Sequence, residues 1–260
     1  MPKNLDSFQL YPERFAKIVT VSTLTLPLDD YGKMITELKE KGIQSTVDKL
    51  ELVRLEKVKA IKDLNEKRER LLRKISKQVD INKPEEVKKV RDILKLLEEL
   101  LVVSQHSDGR PEEVIGIGIA AIQLLEIAGQ EWVPRASVVR IPSESKKPFV
   151  LDMINPQIIR GIHPYKHVGE GCMSYPGHYL STHRFYGVRL GFIDAKDLKP
   201  REMELYGIEA LCVQHEVDHH DGLLFKDKHN FPLMVKAKQG PNDLCSCSSG
   251  KKYKKCCGAK

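Results

Sequence analysis

The chain has 260 residues, 41% hydrophobic and 30% charged, with a formal net charge of +7. That length suits one ordinary domain with appendages and a core large enough to fold alone. No apolar run approaches membrane-spanning length, and Met1 to Asp30 lacks the positive-then-apolar order of a secretory signal, so a cytoplasmic setting with no membrane contact is expected.

The basicity is unevenly placed. From Lys226 onward there are nine lysines against two acids, Asp227 and Asp243, a balance of nine minus two that equals the whole net charge. Such a tail suits a phosphate-rich partner, with a solubilising role as the alternative.

In chain order, Val19 to Leu26 reads as a strand closed by Pro27. From Lys33 to about Val79 the composition turns to Lys, Glu, Leu and Arg. Leu52, Leu55, Val58, Ile61 and Leu64 recur every three residues, which predicts a long, charged helix or helical hairpin rather than a coiled-coil seam. Pro84-Glu85-Glu86 starts a second helix, because proline suits the first turn and acids complement the positive end of the helix dipole. Its apolar stripe is Val87, Val90, Leu94, Leu97 and Leu101, running to about Val103. A polar loop spans 104–111. Short β-branched runs at 137–141, 149–151 and 188–193, punctuated by Pro and Gly, predict antiparallel strands, and a helix is expected from about Glu204 to Asp221. The expected organisation is an N-terminal helical extension at 1–80, a core at 81–230, a linker at 231–240 and a small module at 241–260.

Chemistry concentrates in His215-Glu216-Val217-Asp218-His219. Residues four apart share a helix face, so both imidazoles can reach one metal ion while Glu216 stands beside it to handle protons. Two ligands leave such a site one short of the usual three. Glu170-Gly171-Cys172-Met173-Ser174 offers Cys172, which could equally be a small core residue. Gly116-Ile117-Gly118-Ile119-Ala120-Ala121-Ile122-Gln123 fits a loose dinucleotide fingerprint, but no strand precedes it and no acid lies between Glu131 and Glu144 to bind a ribose, so it reads as closely approachable backbone ending in an amide.

In this order the three segments resemble peptide deformylase. The resemblance covers residues of about 110–230 and extends to Arg184 and to Gly222-Leu223-Leu224-Phe225. It implies an α+β fold with antiparallel sheets around a central helix carrying the HExxH sequence. It further implies hydrolytic removal of the formyl group from N-formylmethionine of nascent polypeptides. By resemblance Cys172, His215 and His219 hold a divalent metal, usually iron(II). Zinc and nickel fit the same donors, so ligand type does not choose. Glu216 would take a proton from the water in the fourth position and pass one to the departing amine, while Gln123 and the Met173 N–H would donate to the oxyanion. Gly116, Gly118, Glu170 and Gly171 would bind substrate. Ile117, Val168, Ile208, Leu211 and Cys212 match positions lining the family's methionine pocket, with core packing the alternative for each. His220 stands where the family usually has Leu, and Ile122 where it often has Pro. An HExxH zinc endopeptidase is the rival enzyme, and an inactive ribosome-binding adaptor the rival from another class. Cys172 with the Gln123 segment argues against the first, and retention of Glu216 against the second.

Cys245, Cys247, Cys256 and Cys257 bracket a lysine-rich turn. In a reducing compartment four such thiols point to a closed structural zinc site that supplies the folding energy of a segment too short for a core. Pro241 to Cys257 resembles the SEC-C zinc motif, which implies docking to a ribosome or chaperone.

Overall fold

The computed structural model describes residues 36–37, 39–40, 59, 62–105, 116–143 and 147–229. The strand expected at 19–26, most of the helical extension, the linker and the four-cysteine module lie outside them. Among the described residues no helix is long and apolar enough to cross a membrane.

A helix over 62–72 ends short of the expected Val79. Its last N–H groups close on Glu69 and Leu71, after which Lys77 pairs with the 133–135 backbone: the Lys77 N–H donates to Val133 O and the Arg135 N–H to Lys77 O. Tertiary pairing therefore takes over from helix propensity. Leu72 and Val79 are buried in the core, which draws on residues upstream of 81.

Helix α1 is Pro84–Gln105, and all five residues of its expected stripe are buried. A meander follows: β1 Gly118–Ala120, a 3-10 turn Ala121–Gln123, α2 Leu125–Ala128, β2 Ala136–Ile141, β3 Phe149–Gly171, β4 Tyr179–Asp194 and β5 Pro200–Tyr206. They form one antiparallel sheet in the order β1-β2-β3-β4-β5. β3 and β4 are far longer than the short runs expected. Pro156 and Gly169 fall at register shifts, Ile154/Gln157 and His167/Glu170, whereas Gly161 and Pro164 pair in register with Val188 and Phe185, so neither residue type ends the strand.

Helix α3 is Gly207–His220. The expected start at Glu204 is corrected, because Glu204 and Leu205 pair with Arg189 and Val188 in the sheet. Gly207, at φ +60, makes the corner from strand to helix, a conformation glycine adopts without a Cβ clash.

Successive residues of β2 point to opposite faces, which divides the core. Val138 joins the cluster under α1, with Leu94, Leu97, Ile119 and Ile154. Val139 joins the cluster under α3, with Met153, Val188, Leu190 and Val213. The sheet is thus covered by α1 on one side and α3 on the other. α3 is buried on nearly every face despite carrying Gln214, Glu216, Asp218, His219 and His220, so its polar side chains demand partners inside the protein.

Candidate metal centre and catalytic cleft

Cys172 lies in the turn after β3, and His215 and His219 lie one turn apart on α3. The ligand atoms of the three all fall within 4.8 Å of one another, and Cys172 Sγ is 3.3 Å from His219 Nε2. Each ring is turned by its surroundings. His215 Nδ1 is 2.6 Å from Glu170 Oε1, which leaves its other nitrogen for the centre. Burial opposes charge on His215, yet Cys172 and Glu170 outweigh it and pull its pKa well up. The sulfur and the Glu170 carboxylate beside it favour positive charge at this point, a proton on the ring or a dication between the ligands. For His219 burial and the neighbouring His215 lower the pKa strongly, keeping the ring neutral as a ligand must be. A sulfur with two imidazoles, closely convergent and buried, fits a divalent transition metal.

Glu170 anchors this arrangement. Its carboxylate accepts from Arg184 Nε at 2.8 Å and Nη2 at 2.5 Å, and also from the Thr182 hydroxyl. Burial works against its ionisation, but the hydrogen bonds with His215 and Arg184 hold it well below the usual carboxylate range. Arg184 also donates to Asp218 on α3. Its side chain and that of Glu170 are 2% and 3% exposed, so the pair links the sheet to the ligand helix in a low-dielectric interior.

Gln123 is fixed by a donor that only its oxygen can accept: the Ala120 N–H reaches Oε1 at 2.8 Å. Its NH₂ group is thereby turned toward Ser174 Oγ at 3.1 Å and Cys172 Sγ at 3.9 Å. Glu216 is 2% exposed and its Oε2 has no hydrogen-bond partner among the described residues. Burial pushes its carboxyl up to about 7. Gly118 makes room for it, since a Cβ there would sit 2.5 Å from both Glu216 Oε1 and Cys212 Sγ. At Gly116 a Cβ would collide with Met173 Sδ, so both glycines allow backbone against side chain where any larger residue would obstruct.

These groups open on a cavity of about 390 Å³. Gly116, Ile117, Gly118, Gln123, Glu170, Gly171, Cys172, Met173, Ile208, Leu211, Cys212, His215 and Glu216 of the expected set line it, and His219 sits behind, 1% exposed. Val168 does not line it: the residue is 75% exposed. The register shift between His167 and Glu170, with Gly169 at φ +83, places two β3 residues against one of β4 and re-aims the strand. His167, Gly169 and Tyr179 line the cavity instead. Period-two reading of the strand could not find them without the bulge, although the glycine beside Val168 marked where one could form.

Residues 58–233 match the family model for polypeptide deformylase, and residues 242–259 match the SEC-C motif. A peptide deformylase of Mesorhizobium japonicum is 38% identical over 112 residues, which are 43% of this chain and 60% of that protein. One of Prochlorococcus marinus is 32% identical over 140 residues, 54% of this chain and 63% of that protein. The crystal structure of a probable peptide deformylase from synechococcus phage S-SSM7 superposes with a TM-score of 0.49 at 28% identity, covering 61% of this chain and 93% of that one. The matches span less than two thirds of the two curated relatives, but the family model covers more than half of this chain. From residue 58 to residue 233, the chain belongs to the polypeptide deformylase family.

Proposed function

We propose that the protein hydrolyses the formyl group from the N-formylmethionine of nascent polypeptides. The observation that carries this reading is the amide of Gln123, held by the Ala120 N–H so that its NH₂ faces the sulfur of the Cys172, His215 and His219 cluster. Those three residues would hold a divalent metal, iron(II) by family with zinc or nickel as substitutes, and bound there it supplies Lewis acidity to water and to the formyl carbonyl.

The remaining work falls to the chain's own groups. Glu216 takes the proton from the attacking water and delivers it to the departing amine, a task suited to a carboxyl raised toward neutrality. The Gln123 NH₂ and the Met173 backbone N–H donate to the oxygen on which negative charge develops. Glu170, itself fixed by Arg184, keeps His215 in the orientation that offers its second nitrogen. Ile117, Ile208, Leu211 and Cys212 give the cavity an apolar side for the methionine side chain. Val168 is not part of that wall.

On the same reading the body carrying this site would be preceded by a helical extension and followed, after a linker, by a basic module at 241–260 that its four cysteines would hold around zinc. That module would tether the enzyme in the cytoplasm to a ribosome or chaperone and raise its local concentration near new chains. A formyl-Met peptide and its unformylated counterpart test the activity. Formate release from the first alone is expected, and internal peptide cleavage without formate release would overturn the reading in favour of an endopeptidase.

A further inference from the structure

Residues 69–76 grip the metal cluster from behind. The Ser76 N–H donates to His220 O at 2.9 Å, and Ser76 Oγ lies 3.0 Å from His220 Nδ1. His220 directly follows the ligand His219 and is wholly buried, and Ser76 is 6% exposed. The resemblance places an apolar residue at 220, so this polar pair is a feature of this chain. One turn on, Gly222 at φ +70 brings the end of α3 against the Arg73 backbone, where a Cβ would sit 2.5 Å from the Arg73 carbonyl. Arg73 also forks onto Asp227 at 2.8 and 3.0 Å. The other limb of the cluster is reached as well. Glu69 accepts from Lys226 at 2.6 Å, the Lys226 ammonium lies 5.3 Å over the Tyr175 ring, and the Tyr175 N–H donates to Cys172 O at 2.9 Å.

From these contacts we infer that the segment 69–76 is a brace that positions His219 and the Cys172 turn, so that the metal's affinity is set partly by residues upstream of α1. Ser76 and Arg73 are its positioning residues. They touch no ligand, and act through His220 and through the ends of α3 and the Tyr175 turn. Outer partners of metal ligands typically change affinity by about 10–100-fold. For groups one contact further out, a loss of about tenfold is expected.

The inference rests on the metal-site reading, so the experiment separates the two. Zinc and cobalt(II) affinities of the full chain are measured by chelator competition, together with the visible spectrum of the cobalt form and the melting temperature of the metal-free protein. Wild type must bind at the Cys172 site, with that binding lost in Cys172→Ala; failure here overturns the site itself. Given that binding, Ser76→Ala and Arg73→Gln are each expected to weaken it about tenfold and to shift the cobalt bands, with Ser76→Thr restoring it. Affinity within twofold of wild type in both variants would overturn the brace, whatever happens to the melting temperature, because simple packing would lower stability alone. Arg73 is surface-accessible, so its variant keeps the test open if Ser76→Ala fails to fold.

Discussion

Glu216 stands one residue from His215 of the proposed metal cluster, buried, with one oxygen unpartnered among the described residues. A carboxyl in that state is poorly solvated when charged, which is why it is pushed up to about 7 and why it can both accept and return a proton near neutrality. Replacing it with Gln keeps the shape and removes the titration. The expected result is formate release slowed by about 10²–10⁴-fold with metal content unchanged, read from steady-state rates and metal analysis of the same sample. Arg184 poses a different question, because its neighbours are charged and buried with it. Arg184→Met should cost about 3 kcal/mol in urea unfolding, the low end for a broken buried pair, since Asp218 retains Lys228 and Glu170 retains His215. A loss under about 1 kcal/mol would mean the network is not the anchor described above. That Cys172, His215 and His219 could share a centre was legible from HExxH and the cysteine segment. The orientation of Gln123 was not, since it depends on the Ala120 N–H folding back in a 3-10 turn.

At the scale of elements, α1 was readable because its stripe faces a single core, whereas the helix over 62–72 ends where backbone pairing with 133–135 begins. That end is clamped to the 3-10 turn Phe225–Lys228 by charge. The hydrogen bond from Arg73 lowers the Asp227 pKa. At Glu69 burial works the other way, but Lys226 and Arg73 prevail and lower it too. Carboxyls depressed in the folded state add stability that is complete above their unfolded pKa of roughly 4 and is lost as pH falls through the folded value. Melting temperature should therefore drop on acidification below about pH 4, with part of the drop absent in Arg73→Gln, where the folded and unfolded pKa values converge. Identical acid profiles for the two proteins would show that the clamp carries no such linkage. The β3 bulge belongs to this scale as well: Val168 is exposed while Gly169 and Glu170 both line the cavity, so the bulge takes Val168 off the face that alternation back from Glu170 would give it.

For the whole molecule, the proposed division of labour puts catalysis in the body and placement in the tail. Removing residues 241–260 should leave formate release from free short peptides within about twofold and lower bound metal from two ions per chain to one, since the binding free energy of a small zinc module is its own folding energy. Unchanged metal content in the truncated protein would refute the second site. Loss of peptide activity would instead make the tail part of the catalytic body.

By itself the sequence determined the inventory: two imidazoles and a carboxylate at helical spacing, a cysteine and an amide in glycine-bearing segments, and their order along the chain. Those follow from local periodicity and donor chemistry. Only the tertiary structure decided that Cys172 comes within 3.3 Å of His219, 47 residues away, that Glu170 rather than water holds His215, and that residues upstream of 81 back the ligand helix. These are contacts between distant segments, fixed by where β3 bulges and by what packs behind α3, and no local period records them.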